Sequence, residues 1–157
     1  MPRMAEFTYV REMDIDADPA RVHALINDFR NWQQWSPWED LDPDLQREYS
    51  GPAQGVGSHY AWRGNKKAGE GAMEITESNP ARIDIKLSFL KPWKARNDVS
   101  FAIEPTGNGG AGSHVAWRMT GENKGMAAVF ARMFNMDKML GKDFEKGLAR
   151  LKSAAES

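Results

Sequence analysis

Two charged residues stand where the sequence pattern calls for apolar side chains. Arg11 falls between Tyr9 and Met13 on the apolar face of an alternating segment, and Asp137 falls among Met133, Met136 and Leu140 on the apolar stripe of a segment with helical period. An unpaired buried charge costs on the order of several kcal/mol, so each needs a partner. Either the two pair with each other across a cavity, or they anchor a polar group of a ligand. The competing reading is that Arg11 marks a strand bulge and Asp137 reaches solvent past Gly141. With Tyr60, these are the residues placed to act as general acid or base on a molecule held between the apolar faces.

Other chemistry finds little support. The three histidines, His23, His59 and His114, include no pair with zinc-motif spacing, and His59 and His114 lie on the polar faces of their segments. With no cysteine in the chain, disulfides and thiolate metal sites are excluded, and no metal or cofactor is expected. Ser36, Ser58 and Ser113 sit in no nucleophile elbow. The glycines Gly107, Gly109 and Gly112 spell a dinucleotide fingerprint, but such a motif must open a helix whose N-terminus receives the pyrophosphate. Here it leads into the alternating SHVAWRM, so it reads as a hairpin loop.

Lys and Arg total 21 against 22 for Asp and Glu, a formal net charge of -1, which gives no global drive toward nucleic acid or anionic membrane. At 157 residues the chain fits a single domain spanning 1–157. MPRMAEFTYV has no signal-peptide core and no stretch is apolar enough to span a bilayer, so a cytoplasmic protein without stable membrane insertion is expected. Six Trp and nine Met are many for this length; both types serve cores and adaptable binding surfaces alike.

The elements that must position these groups follow from periodicity. FTYVREMDID alternates as a half-buried strand. Asp18 and Pro19 then supply a helix N-cap and first position, with Val22, Leu25, Ile26 and Phe29 at helical spacing. Asn31 to Trp38 reads as a second short helix ended by Pro37, and a brief strand is expected near Leu45 to Tyr49. From Gly57 onward the pattern is a meander of strands with one wet face, turning at GNKKAGEG, SNPAR, KPWKARN and TGNGGAG. The period changes to 3.6 from Met126 to about Lys152, with Gly141 and Gly147 at the margins of the apolar stripe.

The order of one strand, two short helices, a six-strand meander and a long C-terminal helix resembles the helix-grip fold of the START/Bet v 1-like (SRPBCC) superfamily, specifically its bacterial polyketide cyclase/dehydrase-like members. The resemblance runs over nearly the whole chain. It is carried by IDADPARVHALINDFRNWQQWSPW, by GVGSHYAWRGN and GEGAMEI, by the turn SFLKPWKA, and by SHVAWRMTG and GKDFEKGLARLK. It implies an α+β domain in which a curved seven-stranded antiparallel sheet wraps the C-terminal helix and leaves an apolar pocket between them. Fold alone does not choose a function.

By alternation the sheet side of such a pocket consists of Tyr60, Trp62, Met73, Ile75, Ile85 and Leu87, continued by Phe89, Phe101 and Trp117. The helix adds Phe130, Met133 and Phe134, with Arg11 and Asp137 as polar contacts. Any one of the apolar residues, taken singly, reads first as core. Trp93, between Lys91 and Lys94 at a hairpin tip, is a pocket lid or a contact with membrane or partner; the plainer reading is that it folds back on its own domain. The leading functional expectation is binding or transport of a small hydrophobic molecule or lipid. The alternatives are a polyketide cyclase/dehydrase-like enzyme and a protein-binding module resembling the Hsp90-activator branch, the last requiring a filled interior and a large exposed apolar patch.

Overall fold

The computed structural model describes residues 5–66, 68–91, 94–123 and 136–157. Strand β1 (Ala5–Ile15) is followed by helix α1 (Pro19–Asn27) and by two 3-10 turns, Phe29–Gln34 and Pro37–Asp40. Strands β2 (Gln46–Ser50), β3 (His59–Arg63), β4 (Glu70–Asn79), β5 (Arg82–Lys91), β6 (Ala95–Thr106) and β7 (Gly112–Asn123) come next, and helix α2 (Met136–Glu156) closes the order. The strands form one antiparallel sheet in the order β1-β7-β6-β5-β4-β3-β2, with α2 across its concave face. Register shifts in β4, between Glu70 and Gly71 and between Ile75 and Glu77, are irregularities of the kind that bend a sheet.

Local chemistry starts and stops the helices. Asp18 caps α1 by accepting from the Ala20 amide at 2.8 Å, and Pro19 costs nothing at the first position because its missing N–H would be unpaired there anyway. At the other end of the chain Arg21 reaches from α1 to the last carbonyls of α2, donating from Nε to Ala155 O at 2.6 Å and from Nη2 to Ala154 O and Ser157 O. A cation there complements the negative end of the helix dipole and satisfies carbonyls that have no partner within the helix.

The sequence expectation of a helix from Asn31 to Trp38 ended by Pro37 is corrected. The first 3-10 turn stops at Gln34, and Pro37 opens the second, with the Ser36 hydroxyl accepting from the Trp38 amide at 3.4 Å. Pro is tolerated at a first position and not inside, so the pre-set φ starts a turn here rather than breaking one. Gly141 and Gly147, at the margins of the apolar stripe, are both buried toward the sheet. A Cβ on Gly147 would lie 2.8 Å from Trp117 Cζ3 and 3.1 Å from Pro37 Cδ, so the glycine is what lets the helix approach the ring.

Candidate functional site

Cross-strand register sorts the concave face into two halves. Along β6 and β7, Phe101 lies opposite Trp117, which lies opposite Arg11 on β1; Ile83 extends the row into β5. These rings meet a second layer. Trp117 stacks on Phe144 of α2 with ring centroids 4.2 Å apart and planes 2° from parallel, and on Phe101 at 5.0 Å. Trp35 and Trp38 meet it edge-on at 5.6 and 5.5 Å. Trp32 and Trp35 are fixed in turn by donating their indole N–H groups to Ile26 O and Leu25 O, at 2.8 and 2.9 Å. This half is packed solid, with Phe101, Trp117, Phe144, Leu148 and Leu151 each at most 1% exposed. Ile75 and Ile85, paired across β4 and β5, are buried at its border.

The Trp117 Nε1 is buried and makes no hydrogen bond. Its donor is the exception among the described indoles of this cluster, since Trp38 also finds an acceptor, Asp143 Oδ2 at 3.3 Å.

Toward β2 and β3 the face is different. Tyr60 pairs with Met73 and Met73 with Leu87; one step outward Trp62 pairs with Gly71 and Gly71 with Phe89. Trp62, Met73, Phe89 and Tyr49 are only half-buried. Trp62 donates to Ala68 O at 2.9 Å, stacks on Tyr60 at 6.0 Å and meets Phe89 edge-on at 5.8 Å. Its ring fills the space where Gly71 lacks a Cβ, a position that would lie 2.6 Å from Trp62 Cη2. The result is an apolar, aromatic surface held in shape by the sheet and still partly open to water.

A buried polar group adjoins it. Glu39, 8% exposed, accepts from the Tyr60 hydroxyl at 3.1 Å through Oε1 and from Arg47 Nε at 2.7 Å through Oε2; Arg47 Nη2 also donates to Glu39 O. Burial, reinforced by the adjacent Glu39 carboxylate, pushes the Tyr60 phenol far above the usual tyrosine range, so it remains a donor at any physiological pH. Tyr49, 5.2 Å from Tyr60 between ring centroids, accepts from Gln33 Nε2 at 2.9 Å and lies under the Arg30 guanidinium. Asn97 is a further buried polar residue, in the cross-strand row between Leu87 and Gly121.

Glu39 and Asn97 escaped sequence reasoning. Glu39 sits in a polar turn with no periodicity to mark it. Asn97 carried a signal, because it continues the alternating series of Val99, Phe101 and Ile103 one step outward.

Arg11 does lie on the concave face, and the β1–β7 register is unbroken from Ala5 to Ile15, so no bulge accounts for it. Its Nε pairs with Glu145 Oε1 at 3.3 Å and its Nη1 donates to Val10 O, leaving the side chain 32% exposed. The guanidinium occupies the room above Gly141, where a Cβ would fall 2.1 Å from Nη2. Phe130, Met133, Phe134, Trp93 and the side chain of Asp137 lie outside what the structure describes. Among the described residues, the hollow between the Phe29–Gln34 turn and α2, lined by Gln33, Gln34, Lys146 and Arg150, is open enough that an apolar guest would stay largely wet.

The histidines occupy ordinary surroundings. His114 lies between Asp14 Oδ1 at 2.6 Å and Glu12 Oε1 at 3.1 Å on the outer face, and these two hydrogen bonds, Asp14 first, raise its pKa. His23 is lowered by partial burial, against a backbone hydrogen bond at Asn79. Its Nε2 is 3.3 Å from Ser78 Oγ, but that hydroxyl donates to Asn27 Oδ1 at 2.6 Å, which is the wrong direction for an activated nucleophile. No cluster of metal-ligating side chains occurs among the described residues, and no helix among them is long and apolar enough to cross a membrane.

The fold recurs in solved structures. A norcoclaurine synthase point mutant from Thalictrum superposes with a TM-score of 0.68 at 10% identity, covering 100% of each chain. Ara h 8.0201 gives 0.65 at 16% identity, over 96% of this chain and 98% of that one. The Aha1 dimer from Colwellia psychrerythraea gives 0.63 at 20% identity, over 96% of each. At these identities the likeness establishes the helix-grip fold and nothing finer. No functionally curated protein matches the sequence. The profile described as polyketide cyclase / dehydrase and lipid transport matches residues 4–156.

Proposed function

Because the chain belongs to the polyketide cyclase / dehydrase and lipid transport family, we propose that it binds a small hydrophobic molecule on the half of its concave face formed by β3, β4 and β5. The observation that carries this reading is the half-buried set Trp62, Met73 and Phe89 beside a neighbouring half that is filled. An apolar aromatic surface left partly wet gains free energy from any guest that covers it, at roughly 25 cal/mol per Å² of apolar area removed from water. Tyr60 and Leu87 complete the contact surface, and Asn97 with the Glu39–Tyr60 pair supplies polar points against which a guest is oriented. Ile75 and Ile85 border it, and Phe101 and Trp117, expected from alternation as ligand contacts, belong to the filled half instead. Phe130, Met133, Phe134 and Asp137 enter as helix-side contacts, and Trp93 as a rim contact, on sequence spacing alone; Arg11 enters as a positioning residue for α2.

A cyclase/dehydrase-type reaction is the second reading, favoured by the Tyr60 phenol at the edge of the apolar surface. Binding without chemistry is preferred because, among the described residues, the carboxylate beside Tyr60 has both oxygens engaged, one by Tyr60 and one by Arg47, which leaves neither Glu39 oxygen idle as a base. A protein-docking module would want one broad apolar patch. The exposed large apolar residues among those described, Val10, Val56 and Leu90, lie on three separate segments.

Native mass spectrometry of protein purified from its own cells tests the proposal. A co-purified small molecule released on unfolding is expected, together with 1-anilinonaphthalene-8-sulfonate binding to the folded protein that falls in Trp62→Ala. Ligand-free protein that also ignores the dye overturns it.

A further inference from the structure

Asn97 holds a position on the concave face that its neighbours fill with carbon. It is 8% exposed, and β6 alternates around it, with Val99, Phe101 and Ile103 buried on the same side. The flanking charges, Arg96 and Asp98, are exposed on the opposite side, where Asp98 pairs with Lys86. Among the described residues no group donates to or accepts from the Asn97 carboxamide. Nor is the amide sealed in. Trp117 Nε1 is the one side-chain polar atom among the described residues that is both enclosed and unpartnered, so the carboxamide opens onto accessible space.

Register places that opening beside the apolar surface. Asn97 continues the row of Tyr49, Tyr60, Met73 and Leu87 across the sheet, and Gly121 beyond it carries no side chain. Half-buried Phe89 pairs with Ala95, two residues from Asn97 on the same face, which makes it the diagonal neighbour. Tyr60 and Asn97 thus stand three strand spacings apart, roughly 14 Å along the sheet. They differ in availability. The Tyr60 hydroxyl is committed to Glu39, whose other oxygen holds Arg47, whereas the Asn97 donor and acceptor both await a partner.

We propose that Asn97 determines which guest the surface takes: a neutral ring compound carrying a hydroxyl group, the hydroxyl seated on the Asn97 carboxamide and the ring lying over Leu87 toward Met73 and Phe89. This rests on the ligand-binding reading above and adds the guest's polarity and direction. An amide left unpaired among apolar side chains is destabilising, so a guest that pairs with it gains over one that only covers carbon. A hydroxyl donates and accepts, and so meets both halves of the carboxamide. A carboxylate only accepts, which leaves Oδ1 without a donor.

Calorimetric titration of the full chain with 2-naphthol, naphthalene and 2-naphthoate is the test, one ring frame with and without the hydroxyl. A surface lacking an anchor would favour naphthalene, which gives up the least hydration. The expected order instead puts 2-naphthol about tenfold tighter than either of the others. In Asn97→Leu, which replaces the unpartnered amide with carbon of similar size, that preference should vanish while naphthalene still binds and thermal stability is kept or raised. The Asn97 side-chain amide resonances of the unsubstituted protein, which need no variant, should move further with 2-naphthol than with naphthalene. Equal or tighter binding of naphthalene or 2-naphthoate, a naphthol preference that survives in Asn97→Leu, or amide resonances that move no further with 2-naphthol overturns the inference and leaves the pocket standing. Dye binding without binding of any of the three probes does the same. Loss of probe and dye binding together refutes the pocket itself.

Discussion

Across β6 and β7 the sheet meets a second layer of rings from Trp32, Trp35, Trp38 and Phe144, whereas across β3 to β5 Trp62 and Phe89 remain half-open. The two halves belong to one sheet, and both present rings to the same side. What separates them is the cover: Trp32, Trp35, Trp38 and, from α2, Gly147 and Phe144 close on the first half, whereas the same turns reach the second only at Tyr60 and Tyr49, through Phe29, Gln33 and Glu39. Concentrating close packing in one region stabilises the fold, while the other region keeps surface for a guest. Stability and binding are thus expected to separate when residues of the two halves are changed.

The largest effect should come from removing the ring at the centre of the filled half. Trp117→Ala is expected to cost about 3–5 kcal/mol in chemical denaturation, whereas Trp62→Ala should cost less than half of that and chiefly weaken dye binding. Equal losses of stability in the two variants would break the distinction between the halves. Gly147→Ala probes the same packing from the helix side. Its methyl group would press on the rigid Trp117 ring, for an expected loss of about 1–3 kcal/mol with dye binding unchanged.

The smallest effect lies outside both halves. His114 has its pKa raised by Asp14 and then Glu12, so its contribution is fully present below the unfolded-state value near 6.5 and fades as pH rises through the raised folded value. His114→Gln should flatten that part of the stability profile by less than about 1 kcal/mol, as for other exposed ion pairs. A variant whose stability keeps the same pH slope between neutral and mildly alkaline conditions would remove His114 from the account.

The sheet was readable from sequence because period-2 alternation survives wherever one face is wet, and α1 because Asp18 and Pro19 mark its start unambiguously. The second short helix was misread since Trp32, Trp35 and Trp38 recur at spacing three, which suits the eclipsed side chains of a 3-10 turn better than an α-helix. The close approach allowed by the buried glycines of α2 was not legible, because a helical wheel ranks side chains and cannot register a residue chosen for having none. Glu39 and Arg21 were beyond reach for another reason. Each has a partner far away in the chain, Tyr60 for one and the last turn of α2 for the other, and no local pattern encodes such a meeting. Of the proposed site, the sheet residues were legible as one face, but not the division of that face into a closed part and an open one.

The lone indole proton of Trp117 has a practical use. A donor walled in by rings and lacking an acceptor is shielded from exchange by exclusion of solvent alone, so its deuterium uptake reads out how often water enters the closed half. Its proton resonance should also lie away from those of Trp32 and Trp35, whose donors are engaged, giving spectroscopists a separate signal from inside the closed half.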